Sequence, residues 1–580
     1  MPLSRSALRR TFLAGLAALL ACGPALAQTR AEPEAATGRG EARAATAERH
    51  MIVAANPHAS EAGLAMLRAG GSAADAAIAA LAVLNVVEPQ SSGIGGGAFA
   101  LVHGPDGLTS WDARETAPAA ATDRLFVAEG RRLGWWEARL SGRSTGAPGL
   151  VRLMARLHER HGRLPWADLF APAIGLARDG FAVSPRLAGL TAAWRDFLAR
   201  VPAGAVFLPG GQPLEAGETL RQPALADTLS RIAAEGESAF YAGAIPEAIA
   251  AALAAEPVPG ALTPADIAGY RVLERAPVCA PYRAWRVCGM GPPSSGATTV
   301  GQILGLMARF PPGAARDEPR LWHLFAEASK LAYADRARYL GDPDALSVPV
   351  DGLLDPAYLS RRALRIDLAR AGRVREAGLP PGAAPMGPDA SATRPGTTHL
   401  SVIDADGLAI ALTASIESGF GSGRMAAGFL LNNQLTDFDL SPAPPGTAAK
   451  ANAPGPGKRP RSSMAPTIVY RAGADRPEIL AGSPGGSRIP EYVAGALIGL
   501  LDLGLPPAGA AALFHVSERN RGTTVLETGA APDALATALA EKGHQIERAE
   551  MTSGLHLIRV TPEALVGGAD PRREGAALAD

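Results

Sequence analysis

Between residues 371 and 396 the chain is rich in Gly, Pro and Ala and has no hydrophobic periodicity, and at Thr397 that character ends abruptly. Thr397–Asp404 and Leu408–Ser415 read as two strands joined by the turn Ala405-Asp406-Gly407. A mobile or exposed segment that runs into a strand beginning Thr397-Thr398 constrains this chain more than any bulk property. A threonine hydroxyl is a poor nucleophile unless a base takes its proton. Cutting the chain before Thr397 would create an α-amine with an ordinary pKa near 7.7–8.0, so one residue would supply nucleophile and base together. Gly396 suits the scissile position because glycine permits unusual backbone geometry. A Gly-Thr pair alone is also an ordinary strand start.

Upstream, Ser60–Arg68 has helical spacing and stops at Gly70-Gly71. Ser72 is placed to cap an apolar helix ending near Val87. Ser91-Ser92-Gly93-Ile94-Gly95-Gly96-Gly97 then opens a strand over Ala98–His103. That order, helix before and strand after, excludes a dinucleotide fingerprint, which follows a strand and opens a helix. Residues 150–370 alternate helical patterns with Pro- and Gly-rich loops. Past the Thr397 hairpin, strands are expected near Thr467–Tyr470 and Glu478–Ala481, then a helix from about Arg488 to Leu503. Basic and acidic residues balance at 56 each, which argues against a nucleic-acid partner.

The N-terminus has the order of a signal peptide: Arg5, Arg9 and Arg10, an apolar run to Ala21, then Ala25-Leu26-Ala27, with cleavage expected after Ala27. Arg9-Arg10 fits a twin-arginine signal, and Cys22 offers a competing lipoprotein site. Residues 28–48 read as a mobile leader. The signal order leads to the expectation of a periplasmic or secreted protein, and no stretch is long enough to span a membrane. Processing leaves Cys279 and Cys288. They flank a short hairpin that puts them opposite one another if Arg283 and Ala284 form the turn. A disulfide and two free thiols are both compatible with that pattern. His and Cys show no metal-ligand spacing, and no cofactor motif is present.

Several blocks resemble the γ-glutamyltransferase family, in that family's order. They are Glu88-Pro89 with Gly93–Gly97, Arg114-Glu115-Thr116-Ala117-Pro118, and Thr397–Gly407. Further on come Leu431–Phe438, Lys458–Thr467, Gly482–Arg488 and Gly567–Gly575. The resemblance runs from about residue 49 to the C-terminus. It implies the four-layer αββα sandwich of N-terminal-nucleophile (Ntn) hydrolases, an α/β fold made as a precursor. That precursor would become a large chain, 49–396, and a small chain, 397–580.

The resemblance also implies roles. Thr397 is the nucleophile, released by cleavage between Gly396 and Thr397. Ser415 stands where the family has a supporting hydroxyl, usually Thr, and Thr413 is a strand threonine beside the site. Gly485 and Gly486 form the oxyanion hole, a role that their unhindered N–H groups before a helix also suit. Arg114, Ser462 and Ser463 would take the α-carboxylate of a γ-glutamyl group. Gln434 and Asp437 would take its α-ammonium. The bland readings are an Arg114–Asp112 ion pair and plain turns at the serines and glycines.

Two departures stand out. Glu417 occupies a position where many members have Asn. The stretch Asp439–Gly457, where the family often has a lid, is short and lacks an aromatic. The expected chemistry is cleavage of glutathione or another γ-glutamyl compound, with hydrolysis favoured over transfer to amino acids or peptides. A glutaryl-type acylase on the same fold and an exported binding protein without turnover are the alternatives.

Overall fold

The computed structural model describes residues 40, 43–255, 257–389, 391 and 396–580. The expected signal peptide, with Arg9-Arg10 and Cys22, lies outside them.

Two seven-stranded sheets carry the fold. In chain order their strands are β1 (Arg43–Ala47), β2 (Met51–Ala54), β3 (Gly97–Gly104), β4 (Gly107–Ala113), β5 (Leu273–Arg275), β6 (Val278–Tyr282) and β7 (Trp285–Gly289). After Thr397 come β8 (Thr397–Ile403), β9 (Ala409–Ser415), β10 (Thr467–Arg471), β11 (Pro477–Ala481), β12 (His556–Val560), β13 (Leu565–Ala569) and β14 (Ala576–Ala579). One sheet has the order β14-β2-β8-β9-β3-β4-β5, the other β1-β13-β12-β11-β10-β7-β6. Helices α1 (Pro57–Arg68) and α2 (Ala73–Val87) belong to the first half. Helices α3 (Gly296–Met307), α4 (Pro319–Tyr339) and α5 (Ile489–Leu501) follow.

Three apolar clusters establish the layers. Leu400, Val402, Ile410 and Leu412 of the first sheet pack with Leu64 and Leu67 of α1 and Ile78 and Leu81 of α2. Met51, Val53, Ile403 and Ala411 of that sheet meet Ile468, Leu480 and Ile558 of the other. Val469, Ile479 and Leu557 then pack with Val300, Phe325 and Leu497 of α3, α4 and α5. Helix, sheet, sheet, helix is the four-layer αββα order. It follows from strands buried on both faces, whose alternate residues feed different clusters. The capping box at Ser72 and Asp75 starts α2 where the sequence places it.

Two expectations need correction. Arg43–Ala47, inside the stretch read as a mobile leader, is the edge strand β1, paired antiparallel to β13 from Arg43–Ala569 to Ala47–Leu565. The alternating burial that would flag a strand is weak in Ala-rich sequence. The 371–396 segment is also tied down in part. Arg375 pairs with Glu327, its backbone bonds Asn520, and Asp389 pairs with Arg461. Cys279 and Cys288 stand opposite one another on β6 and β7 and are joined in a disulfide.

Candidate active site

Thr397 is the first residue of β8, and its ladder partner across β9 is Ser415. Odd-numbered residues of both strands face the space between the sheets. Ser401 accordingly donates to the His556 carbonyl of β12 at 3.0 Å. Thr397 and Ser415 therefore point the same way at the end of the ladder, and their hydroxyls are 3.3 Å apart.

The geometry at Gly396–Thr397 is specific. The Ser415 hydroxyl donates to the Gly396 carbonyl at 2.6 Å and accepts from the Glu417 N–H at 2.8 Å. A side chain on Gly396 would put a Cβ 2.0 Å from the Glu417 carbonyl oxygen. Only glycine fits this close approach. From the C-terminal block, Arg573 donates to the Thr397 carbonyl at 3.3 Å, which braces the first residue of the strand from behind.

A small, partly open pocket lies beside Thr397. Arg114, Ser415, Glu417, Gln434, Asp437, Ser462, Ser463 and Gly486 line it with Thr397, and Met464 and Ile489 add apolar surface. Residues spread over more than 370 positions of sequence thus converge on one hydroxyl, apart from two of the expected set. Gly485 is not in the lining, although its φ of 136° and the φ of 57° at Gly486 give the pair a backbone that glycine adopts readily. Thr413 is not in the lining either: its hydroxyl is bonded to His399 Nδ1 at 2.9 Å, between the sheets. His399 itself is held neutral, since burial and the neighbouring His556 push its pKa well down.

The charged groups are arranged around Arg114, which is fully buried. Its guanidinium donates to Asp437 at 2.5 Å and to the carbonyls of Pro460 and Arg461 at 3.0 and 3.2 Å. The simpler expectation of an Arg114–Asp112 ion pair does not hold. Asp112 accepts from the Arg114 backbone N–H, and its ion pairs go to Arg275 and Arg459. Gln434 Nε2 also donates to Asp437, at 3.2 Å. Three buried polar atoms of the lining have no hydrogen-bond partner: Asp437 Oδ1, Gln434 Oε1 and Arg114 Nη1, which has only the Glu115 carboxyl at 3.9 Å. One is a cationic donor and two are acceptors. Leaving them unpaired is costly, on the order of 1–3 kcal/mol each, and a small zwitterion would satisfy both kinds.

Glu417 is buried at a φ of 79°, a left-handed conformation that Asn tolerates better than Glu. Its carboxylate accepts from Asn433 Nδ2 at 2.6 Å and from the Ser418 hydroxyl. Burial, then the neighbouring Asp437, pushes its pKa up to about 8. Glu115, behind Arg114, is likewise pushed up to about 8 by burial, against the pull of Arg114. No residue of Asp439–Gly457 lines the pocket. Lys450 and Asn452 pin that stretch back onto Asp439 and the Asp437 carbonyl. Among the described residues no group of His, Cys, Asp or Glu is placed to hold a metal ion.

The chain is similar in sequence and in fold to known proteins. A family model described as gamma-glutamyltranspeptidase matches residues 59–580. A glutathione hydrolase proenzyme of Escherichia coli is 37% identical, the match covering 91% of each chain. An acylase proenzyme of a Pseudomonas species is 34% identical over 94% of this chain and 96% of its own. A cephalosporin acylase structure from Bacillus halodurans superposes with a TM-score of 0.83 at 30% identity, covering 94% of this chain and 97% of the other.

Proposed function

This chain belongs to the gamma-glutamyltranspeptidase family of Ntn-hydrolases, and we propose that it is an exported glutathione hydrolase whose precursor cuts itself between Gly396 and Thr397. In the precursor the Thr397 hydroxyl attacks the Gly396 carbonyl carbon. The C–N bond breaks as the acyl group moves to oxygen, and water hydrolyses the resulting ester. Ser415 hydrogen-bonds the carbonyl that must become an oxyanion. The product is a large chain ending at Gly396 and a small chain of residues 397–580.

The freed α-amine of Thr397 then serves as base while its hydroxyl attacks the γ-carbonyl of the donor. Gly485 and Gly486 offer N–H groups to the oxyanion, and the amine of cysteinylglycine leaves. Water releases the γ-glutamyl ester. Hydrolysis is favoured over transfer to amino acids or peptides because the Asp439–Gly457 stretch is pinned away from the pocket and has no aromatic to cover the ester. Among the described residues no helix is long and apolar enough to cross a membrane. The charged, apolar, small-residue order before Ala27 supports export to the periplasm or medium.

One observation carries the γ-glutamyl assignment. The buried unpaired atoms of Arg114, Asp437 and Gln434 are what an α-carboxylate and an α-ammonium would satisfy together. A glutaryl-type acylase is the second reading, favoured by the Pseudomonas and Bacillus acylases among the relatives. A glutaryl chain has no ammonium, so it would leave Asp437 Oδ1 and Gln434 Oε1 buried and unpaired. Initial rates on γ-glutamyl-p-nitroanilide and glutaryl-p-nitroanilide decide between them. Preference for the first is expected; preference for the second overturns the assignment. No turnover of either by the processed protein would favour a binding protein.

A further inference from the structure

We propose that Arg336, which does not line the pocket, is a positioning residue for the donor's α-carboxylate: it fixes the Ser462–Ser463 loop so that Ser463 is left as a hydrogen-bond donor, and it brings a second cation to that end of the site. The inference rests on the γ-glutamyl reading above.

Arg336 lies near the end of α4, on a helix whose polar residues Glu327, Lys330 and Asp335 are also buried. Its Nη2 donates to the Ser463 hydroxyl at 2.6 Å and its Nε to the Ser295 hydroxyl at 2.8 Å. Ser295 in turn donates to the Ser462 carbonyl from its hydroxyl at 2.6 Å and its N–H at 2.8 Å. The Ser462 N–H donates to the Pro293 carbonyl at 2.9 Å, closing the brace.

The direction of these bonds matters. A guanidinium carries donors only, so in its bond to Arg336 the Ser463 oxygen is the acceptor. The one proton of Ser463 is then available elsewhere, and no acceptor for it is found among the described residues. Ser462 is set similarly, accepting from the Met464 N–H at 3.1 Å. Two hydroxyls fixed as acceptors within the protein are pre-oriented as donors toward a ligand, and a carboxylate has only acceptors to offer.

Charge points the same way. Arg114 pairs with Asp437 and Arg461 with Asp389, but no ion pair of Arg336 is found among the described residues. Burial, followed by repulsion from Arg461, pushes its pKa down to about 9, which leaves it cationic at neutral pH. A buried cation with no carboxylate at ion-pair distance, only the more distant pull of Asp389 and Asp437, is unfavourable. An anion seated on Ser463, one hydrogen bond away, offsets that cost.

Kinetics on two donors test the proposal: γ-glutamyl-p-nitroanilide, and 4-aminobutanoyl-p-nitroanilide, which keeps the ammonium and reacting amide but lacks the carboxylate. The second is followed at high enzyme concentration. Arg336→Gln is expected to raise KM for the γ-glutamyl donor about tenfold or more with little change in kcat. The same variant should leave kcat/KM for the 4-aminobutanoyl donor within about twofold of wild type. Arg336→Lys should recover part of the loss. Adding Arg336→Gln to Ser463→Ala should cost little beyond the worse single change, because one acts through the other. Equal losses on both donors, or an unchanged γ-glutamyl KM, overturn the proposal. If Arg336→Gln stays unprocessed, Arg336→Lys decides by the same comparison of donors. A wild-type enzyme inactive on the γ-glutamyl donor sinks the functional reading and this inference with it, whereas an active wild type with an unselective Arg336→Gln sinks the inference alone.

Discussion

The hydroxyl of Ser415 bridges the two halves of the expected cleavage chemistry: it is 3.3 Å from the Thr397 hydroxyl and donates to the Gly396 carbonyl at 2.6 Å. The nucleophile and the carbonyl it must attack are held by one side chain, in register, at the end of one β-ladder. Ser415→Ala should therefore slow self-cleavage about 100-fold, the usual cost of losing one oxyanion donor. Ser415→Thr should retain it. The measurement is conversion of precursor to two bands over time in denaturing electrophoresis, and undiminished cleavage by the Ala variant contradicts the role.

Gly396→Ala tests the close approach on the other side of the same bond. Its Cβ would fall 2.0 Å from the Glu417 carbonyl, against backbone that cannot swing away as a flexible side chain can. The precursor should lose on the order of 1–3 kcal/mol of stability and cleave at least about tenfold more slowly. Thermal unfolding and the cleavage time course read the two effects separately.

Much of this site was legible in the sequence, and what was missed has a physical cause. Thr397, Ser415 and Gly396 lie within one hairpin, so strand period and turn chemistry place them almost without tertiary information. Arg114, Gln434, Asp437 and the two serines were found through ordered motifs, yet their mutual arrangement was not. The Arg114–Asp437 pair joins residues 323 positions apart, and the nearer Asp112 is the better guess from local spacing. Thr413 entered through the resemblance, as a strand threonine beside the site, and it shares a strand face with Ser415. The strand carries it two positions deeper, to His399. Arg336 gave no local signal, because its partners Ser295 and Ser463 come from other elements. β1 was read as a leader because its pairing edge is supplied by β13, far along the chain.

Arg114→Gln should reduce kcat/KM on γ-glutamyl-p-nitroanilide about 100-fold or more, since it removes a buried cation and leaves Asp437 without its partner. Most of the loss should appear in KM. Arg114→Lys should restore the charge but not the forked geometry, and so recover the activity only in part. Wild-type KM in either variant contradicts the assignment of the carboxylate end.

Glu417 predicts a pH dependence of stability. Its folded pKa, raised to about 8, exceeds the ordinary unfolded value near 4.3. Below the lower value both states are protonated and the group costs nothing in charge. As pH rises toward 8 the unfolded chain ionises more readily than the folded one, so stability falls and levels off above about 8. Glu417→Gln removes this contribution. The difference in Tm between the processed variant and processed wild type should shift in favour of the variant from pH 5 to pH 8. A difference independent of pH contradicts the raised pKa.

The central claim is that Thr397 becomes an N-terminus and then carries the acyl group. Intact-mass and N-terminal analysis of the purified protein, alone and quenched during turnover of a γ-glutamyl donor, tests both halves at once. The account predicts a small chain beginning Thr397-Thr398-His399, a γ-glutamyl adduct on that first threonine, and a single uncut chain from Thr397→Ala. A single uncut chain from active wild-type protein, or an adduct on any other residue, contradicts it.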